Sequence, residues 1–180
     1  MTRQFSPERL DVAALAEEGA GLSGRLPVGA LQRLAAEARG PLEGREVSWS
    51  ARGELLNPQH VQPEIWLHLQ ADASLPMICQ RCLEPVDIPL AVDRSFRFVA
   101  DEATAAAEDD AAEEDLLALS RAFDLPGLIE DELLMEVPVV PRHDVCPHPV
   151  PLSAADPDFD DTAAPEHPFA VLKALKDRGS

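Results

Sequence analysis

Three stretches of the chain alternate apolar and polar residues at a period of two, the pattern of a strand with one buried and one open face. Residues 46–55 set Val47, Trp49 and Ala51 on one side. Residues 64–71 set Ile65, Leu67, Leu69 and Ala71 against Trp66, His68 and Gln70, and residues 90–100 set Val92, Arg94, Phe96 and Phe98 against Asp93, Ser95, Arg97 and Val99. A parallel sheet covered on both faces would read as unbroken apolar runs, so the alternation predicts an antiparallel sheet with one face buried. Asn57-Pro58-Gln59-His60 carries turn chemistry and predicts a hairpin with an irregular loop between the first two strands.

Helical spacing occupies the remainder. In residues 23–40, Leu31, Leu34, Ala35 and Ala38 recur at helical intervals after Pro27 and before Gly40, which predicts a helix there. Leu125, Leu128, Ile129, Leu133 and Val137 form a stripe ended by Pro138, with Asp124 placed to cap it. Glu130, Asp131, Glu132 and Glu136 are expected to point mostly away from that stripe. Residues 138–151 hold five prolines and must run extended. Phe169, Leu172 and Leu175 mark a short helix in residues 168–176, stable only when docked. These elements predict an α+β fold: a mainly antiparallel sheet of about four to six strands with a few helices. The 180 residues suit a single domain over 1–152, followed at 153–180 by an acidic linker and the short helix.

The charge is regional. Net charge is −18, of which residues 1–100 carry −3 and residues 101–180 carry −15. In 101–115 eight of fifteen residues are acidic, most others are Ala and none is basic, so this stretch reads as a flexible insertion that buries nothing. The acidic half would repel phosphate backbones and anionic membranes at long range. No run approaches the ~20 apolar residues of a membrane-crossing helix. Residues 1–11 lack the apolar region of a secretory signal, so a cytoplasmic location is expected, with no membrane or DNA partner.

The sharpest local signal is Cys79-Gln80-Arg81-Cys82. Two thiols at this spacing can point into one tight turn, to ligate a metal or to join as a disulfide. Redox catalysis would need the pair at a helix N-terminus after a strand, whereas Pro76, Pro85 and Val86-Asp87-Ile88 favour a hairpin turn. Zinc would need further ligands, and His143, Cys146 and His148 are the clustered candidates; Cys79, Cys82 and Cys146 with one histidine, His143 first, would complete a tetrahedral set. The alternative is a pair that only shapes a turn. Neither GxxxxGK[ST], GxGxxG nor GxSxG occurs, which leaves nucleotide-binding and hydrolase readings unsupported. Trp49 and Trp66 are expected in the core, and His60 and His68 on the surface without partners.

The run Cys79-Gln80-Arg81-Cys82-Leu83-Glu84-Pro85 resembles the signature of the YceD family, bacterial proteins associated with accumulation of large-subunit ribosomal RNA. Leu128-Ile129-Glu130-Asp131-Glu132-Leu133 running into Val137-Pro138-Val139-Val140-Pro141-Arg142-His143 resembles the family's acidic helix and proline-punctuated segment. The stretch from Pro168 to Leu175 is a third likeness, while the first 75 residues match only in general pattern. The resemblance implies a non-enzymatic ribosome-biogenesis factor supporting accumulation or processing of 23S rRNA. Relatives with further cysteines near Cys146 add the implication of a metal site.

Two modes of action are compatible with that implication. In one, Arg81, Arg94 and Arg97, with Arg45 and Arg52, form a local patch that contacts a large-subunit RNA precursor. In the other, the acidic half, including Glu130, Asp131 and Glu132, holds a basic ribosomal protein or assembly factor and affects RNA indirectly. Composition favours the second. A metal-dependent nuclease built on the carboxylates is a weaker third reading, supported by their abundance alone.

Overall fold

The computed structural model describes residues 4–61 and 63–149. The elements run α1 (Val12–Glu17), β1 (Gly21–Pro27), α2 (Gln32–Glu37), β2 (Glu46–Leu56), β3 (Glu64–Ile78), β4 (Pro85–Val99), α3 (Glu102–Glu108), β5 (Asp115–Ala118) and α4 (Leu125–Met135). The five strands form one sheet in the order β1-β2-β3-β4-β5. Neighbours are antiparallel except β4 and β5, which run parallel and are therefore joined by a crossover that carries α3. The chain is thus α+β, as the alternation required.

Register explains the core. Ile65 faces Phe98, Leu67 faces Phe96, Leu69 faces Arg94 and Ala71 faces Val92, so one side of β3 and β4 is almost wholly apolar. Val47, Trp49 and Ala51 continue it on β2. Against this face α1 packs on β2 and β3, and α4 on β3 and β4, with α2 beside α4. Leu125, Ile129 and Leu133 of α4 are fully buried, each contributing roughly 1.5–3 kcal/mol by leaving water. Gly53 is required where α1 crosses β2: a Cβ there would lie 2.6 Å from the backbone of Leu15 and Ala16.

Several expectations are corrected. Residues 21–27 are strand rather than helix, because Leu22, Gly24 and Leu26 alternate inward opposite Ala51, Trp49 and Val47 of β2. Only Gln32–Glu37 of the expected 23–40 helix is α-helical. The acidic stretch 101–115 carries regular structure, since Asp101 accepts from the Thr104 N–H and starts α3, whose Ala105 is buried. Trp66 lies half-buried on the outer face opposite Arg97, not in the core, and its Nε1 donates to Glu64. His68 has partners, Glu54 at 2.7 Å and Ser95 at 2.8 Å. Glu130 and Glu132 of α4 are buried instead of pointing away. The helix expected in residues 168–176, like all of 153–180, lies outside the described residues.

Candidate metal centre

The cluster sits where the β3–β4 hairpin turns. Cys79 directly follows β3, and its N–H donates to the Glu84 carbonyl at 2.9 Å while its own carbonyl accepts from Leu83 N–H at 2.9 Å. These two bonds coil residues 79–84 tightly enough that Leu83 takes a left-handed backbone, φ 63°. The coil turns Cys79 and Cys82 to the same side, as the two-residue spacing anticipated. The proline-rich run after α4 then passes alongside: Gln80 N–H donates to the Pro141 carbonyl at 2.9 Å, and Pro141 is buried.

This passage brings His143 and Cys146 to the turn. Arg81 holds them there, donating through Nε to Cys146 Sγ at 3.0 Å and through Nη2 to the carbonyls of His143 (2.8 Å) and Asp144 (3.4 Å). Cys79 Sγ lies 4.0 Å from Cys146 Sγ, and Cys82 Sγ lies 3.4 Å from His143 Nδ1. One donor atom from each of Cys79, Cys82, His143 and Cys146 lies within 4.8 Å of all the others. Cys79 is fully buried and the other three are half-buried. Of the two candidate histidines, His143 joins the cluster, and His148 is exposed.

The chemistry of the donors fits zinc. Burial pushes the Cys79 thiol up, but backbone N–H groups of Cys82, His143 and Arg81, with the His143 ring, outweigh it and bring the thiol down to about 5. Cys82 is pushed the other way, by burial and by the neighbouring sulfurs of Cys146 and Cys79. Three sulfurs crowded together without a cation thus cannot all ionise comfortably, and a divalent ion would relieve that. Two sulfurs about 2.3 Å from a tetrahedral zinc would lie roughly 3.8 Å apart, close to the observed sulfur contact. Three cysteines and one histidine are also a donor set of structural zinc sites, with no position left for substrate.

The other candidate residues are placed differently. Arg81 faces inward to the cluster. Arg94 pairs with Asp115 and, at 3.8 Å, with Glu132; Arg97, on the opposite face, pairs with Glu114 at 2.5 Å and Glu108 at 3.2 Å. Arg45 pairs with Asp87 at 2.7 Å. Glu130 accepts from Arg33 at 2.9 Å, and Asp131 also pairs with Arg33. Burial raises the Glu132 carboxyl above its usual range, opposed by Arg94 and reinforced by Asp115, Asp131 and Glu136. The structure therefore groups the four metal candidates and Arg81, while Arg94, Arg97 and the α4 acids form separate ion-pair sets. Sequence reasoning missed Arg33 and the positioning role of Arg81, since neither partner lies nearby in the chain.

The family model described as "Large ribosomal RNA subunit accumulation protein YceD" matches residues 67–176, more than half of the chain and a span containing every residue of the cluster. No solved structure matches the chain.

Proposed function

The chain belongs to the YceD family, and on that premise we propose that it is a non-enzymatic factor in large-subunit ribosome production that supports 23S rRNA accumulation through a basic protein partner. The observation that carries this reading is that three of its candidate RNA-binding arginines, Arg81, Arg94 and Arg97, are engaged by partners within the fold. Arg94 and Arg97 each face two carboxylates, and Arg81 is committed to Cys146 and two carbonyls. A phosphate would have to displace these partners before gaining any contact.

The acids favour the opposite sign of partner. Glu102, Asp109, Asp110 and Glu113 are exposed around α3, on a chain of net charge −18. Such a surface speeds encounter with a cationic ribosomal protein or assembly factor and repels free RNA. In the same reading Cys79, Cys82, His143 and Cys146 hold a structural zinc that fastens the proline-rich run to the hairpin turn. Four protein ligands fill a tetrahedral zinc and leave no open position for substrate.

Affinity capture of the full chain, analysed for both protein and RNA, tests the proposal. The expected result is salt-sensitive recovery of basic ribosomal proteins, reduced by Asp109→Lys with Asp110→Lys. Tight binding of the purified protein alone to large-subunit rRNA, weakened by Arg94→Glu, would overturn it.

A further inference from the structure

The same cluster contains three thiols, and their arrangement distinguishes them. Cys146 is half-buried and Cys79 fully buried, so Cys146 is the more open of the two, and their sulfurs lie 4.0 Å apart. Cys82 is turned toward the His143 ring at 3.4 Å. Arg81 keeps Cys146 in register with the turn, through its sulfur and through the carbonyls of the two residues that approach it. Cys79 thus has at 4.0 Å the sulfur of a distant residue on another segment, while its neighbour in the Cys-x-x-Cys pair lies within 4.8 Å.

We propose that hydrogen peroxide joins Cys79 to Cys146, making the cluster an oxidation site that covalently ties the proline-rich run to the β3–β4 turn. The Cys146 sulfur attacks one peroxide oxygen, the O–O bond breaks and hydroxide leaves, giving a sulfenic acid. The Cys79 sulfur then attacks the Cys146 sulfur; the S–S bond forms, the S–O bond breaks and a second hydroxide leaves. The two thiols lose two electrons and two protons, and the peroxide is reduced to two waters. In zinc-loaded protein this removes two sulfur ligands and expels the metal. The inference rests on the geometry of the cluster and holds whether or not the partner reading of function does.

The test uses the full chain, reduced, freed of reductant and metal, and treated with equimolar peroxide before alkylation and tryptic mapping. Trypsin cuts after Arg81 and so separates Cys79 from Cys82. The expected product links Cys79 to Cys146 with Cys82 alkylated, and Cys146→Ser loses thiol roughly tenfold more slowly. A principal Cys79–Cys82 linkage, an absence of disulfide, or oxidation of Cys146→Ser at the unmodified rate would each overturn the proposal. Elemental analysis of the untreated chain reports zinc separately, so failure of the zinc reading and failure of this one are told apart.

Discussion

Glu130 binds Arg33 twice over, once through the guanidinium and once through the backbone. Its Oε1 accepts the Arg33 N–H at 2.6 Å and the Leu34 N–H at 3.2 Å, while Oε2 takes Arg33 Nε at 3.1 Å. The residue before α2, Leu31, has no side chain able to cap a helix, so the Glu130 carboxylate, 97 residues from Arg33, does so instead.

Glu130→Ala should therefore cost about 2–3 kcal/mol in urea unfolding, because two helix-end N–H groups lose a charged acceptor along with the ion pair. Arg33→Ala should cost clearly less, since the Arg33 side chain is half-exposed and the cap survives its loss. Equal costs for the two would show that the ion pair, not the cap, dominates.

Glu132 makes stability depend on pH in the opposite sense to a paired carboxylate. Its folded-state pKa is raised above the usual carboxylate range, chiefly by burial, with Arg94 opposing the rise and Asp115, Asp131 and Glu136 adding to it. Its contribution is thus fully present below the unfolded value and is lost as pH rises through the folded one. Glu132→Gln, which stays neutral, should be more stable than the unmodified protein at pH 7, and the advantage should vanish near pH 4. A constant difference across that range in thermal melts would contradict the assignment.

Zinc should be found at one equivalent per chain in protein purified without chelator, by elemental analysis. Stripping it should lower Tm, and at metal concentrations a hundredfold above Kd the stabilisation should be about 2.7 kcal/mol. Cys79→Ser should abolish both the metal and the stabilisation; retention of a full equivalent would show the ion lies elsewhere.

Glycine substitutions separate close packing from loop freedom. Gly53→Ala would drive a Cβ to 2.6 Å from the α1 backbone and should cost more than 2 kcal/mol, roughly the price of overpacking, or prevent folding. Gly29→Ala meets nothing within 4 Å and should change stability by less than about 0.5 kcal/mol in the same denaturation assay.

Local pattern carried the centre of the sheet and stopped where pairing became long-range. β2, β3 and β4 were legible because their side chains alternate within each strand. β1 was not, since Leu22, Gly24 and Leu26 make a weak pattern that gains its meaning from Ala51, Trp49 and Val47 on β2. α3 was hidden by its charge, although Asp101 and the Ala-rich run after it are sound helix signals. At the site, thiol spacing and the Cys146-His143 neighbourhood were readable, because ligand chemistry is written in residue type. The bracing by Arg81 was not, and neither was the burial of Glu130 and Glu132, because both depend on which distant segments the fold brings alongside.

Cys146 follows Cys79 by 67 positions and comes after every strand of the sheet. A growing polypeptide therefore exposes the hairpin sulfurs long before their remaining partners have been polymerised. Closure of the tetrad is a late event in biosynthesis, and a chain truncated within α4 would retain all five strands yet never complete it.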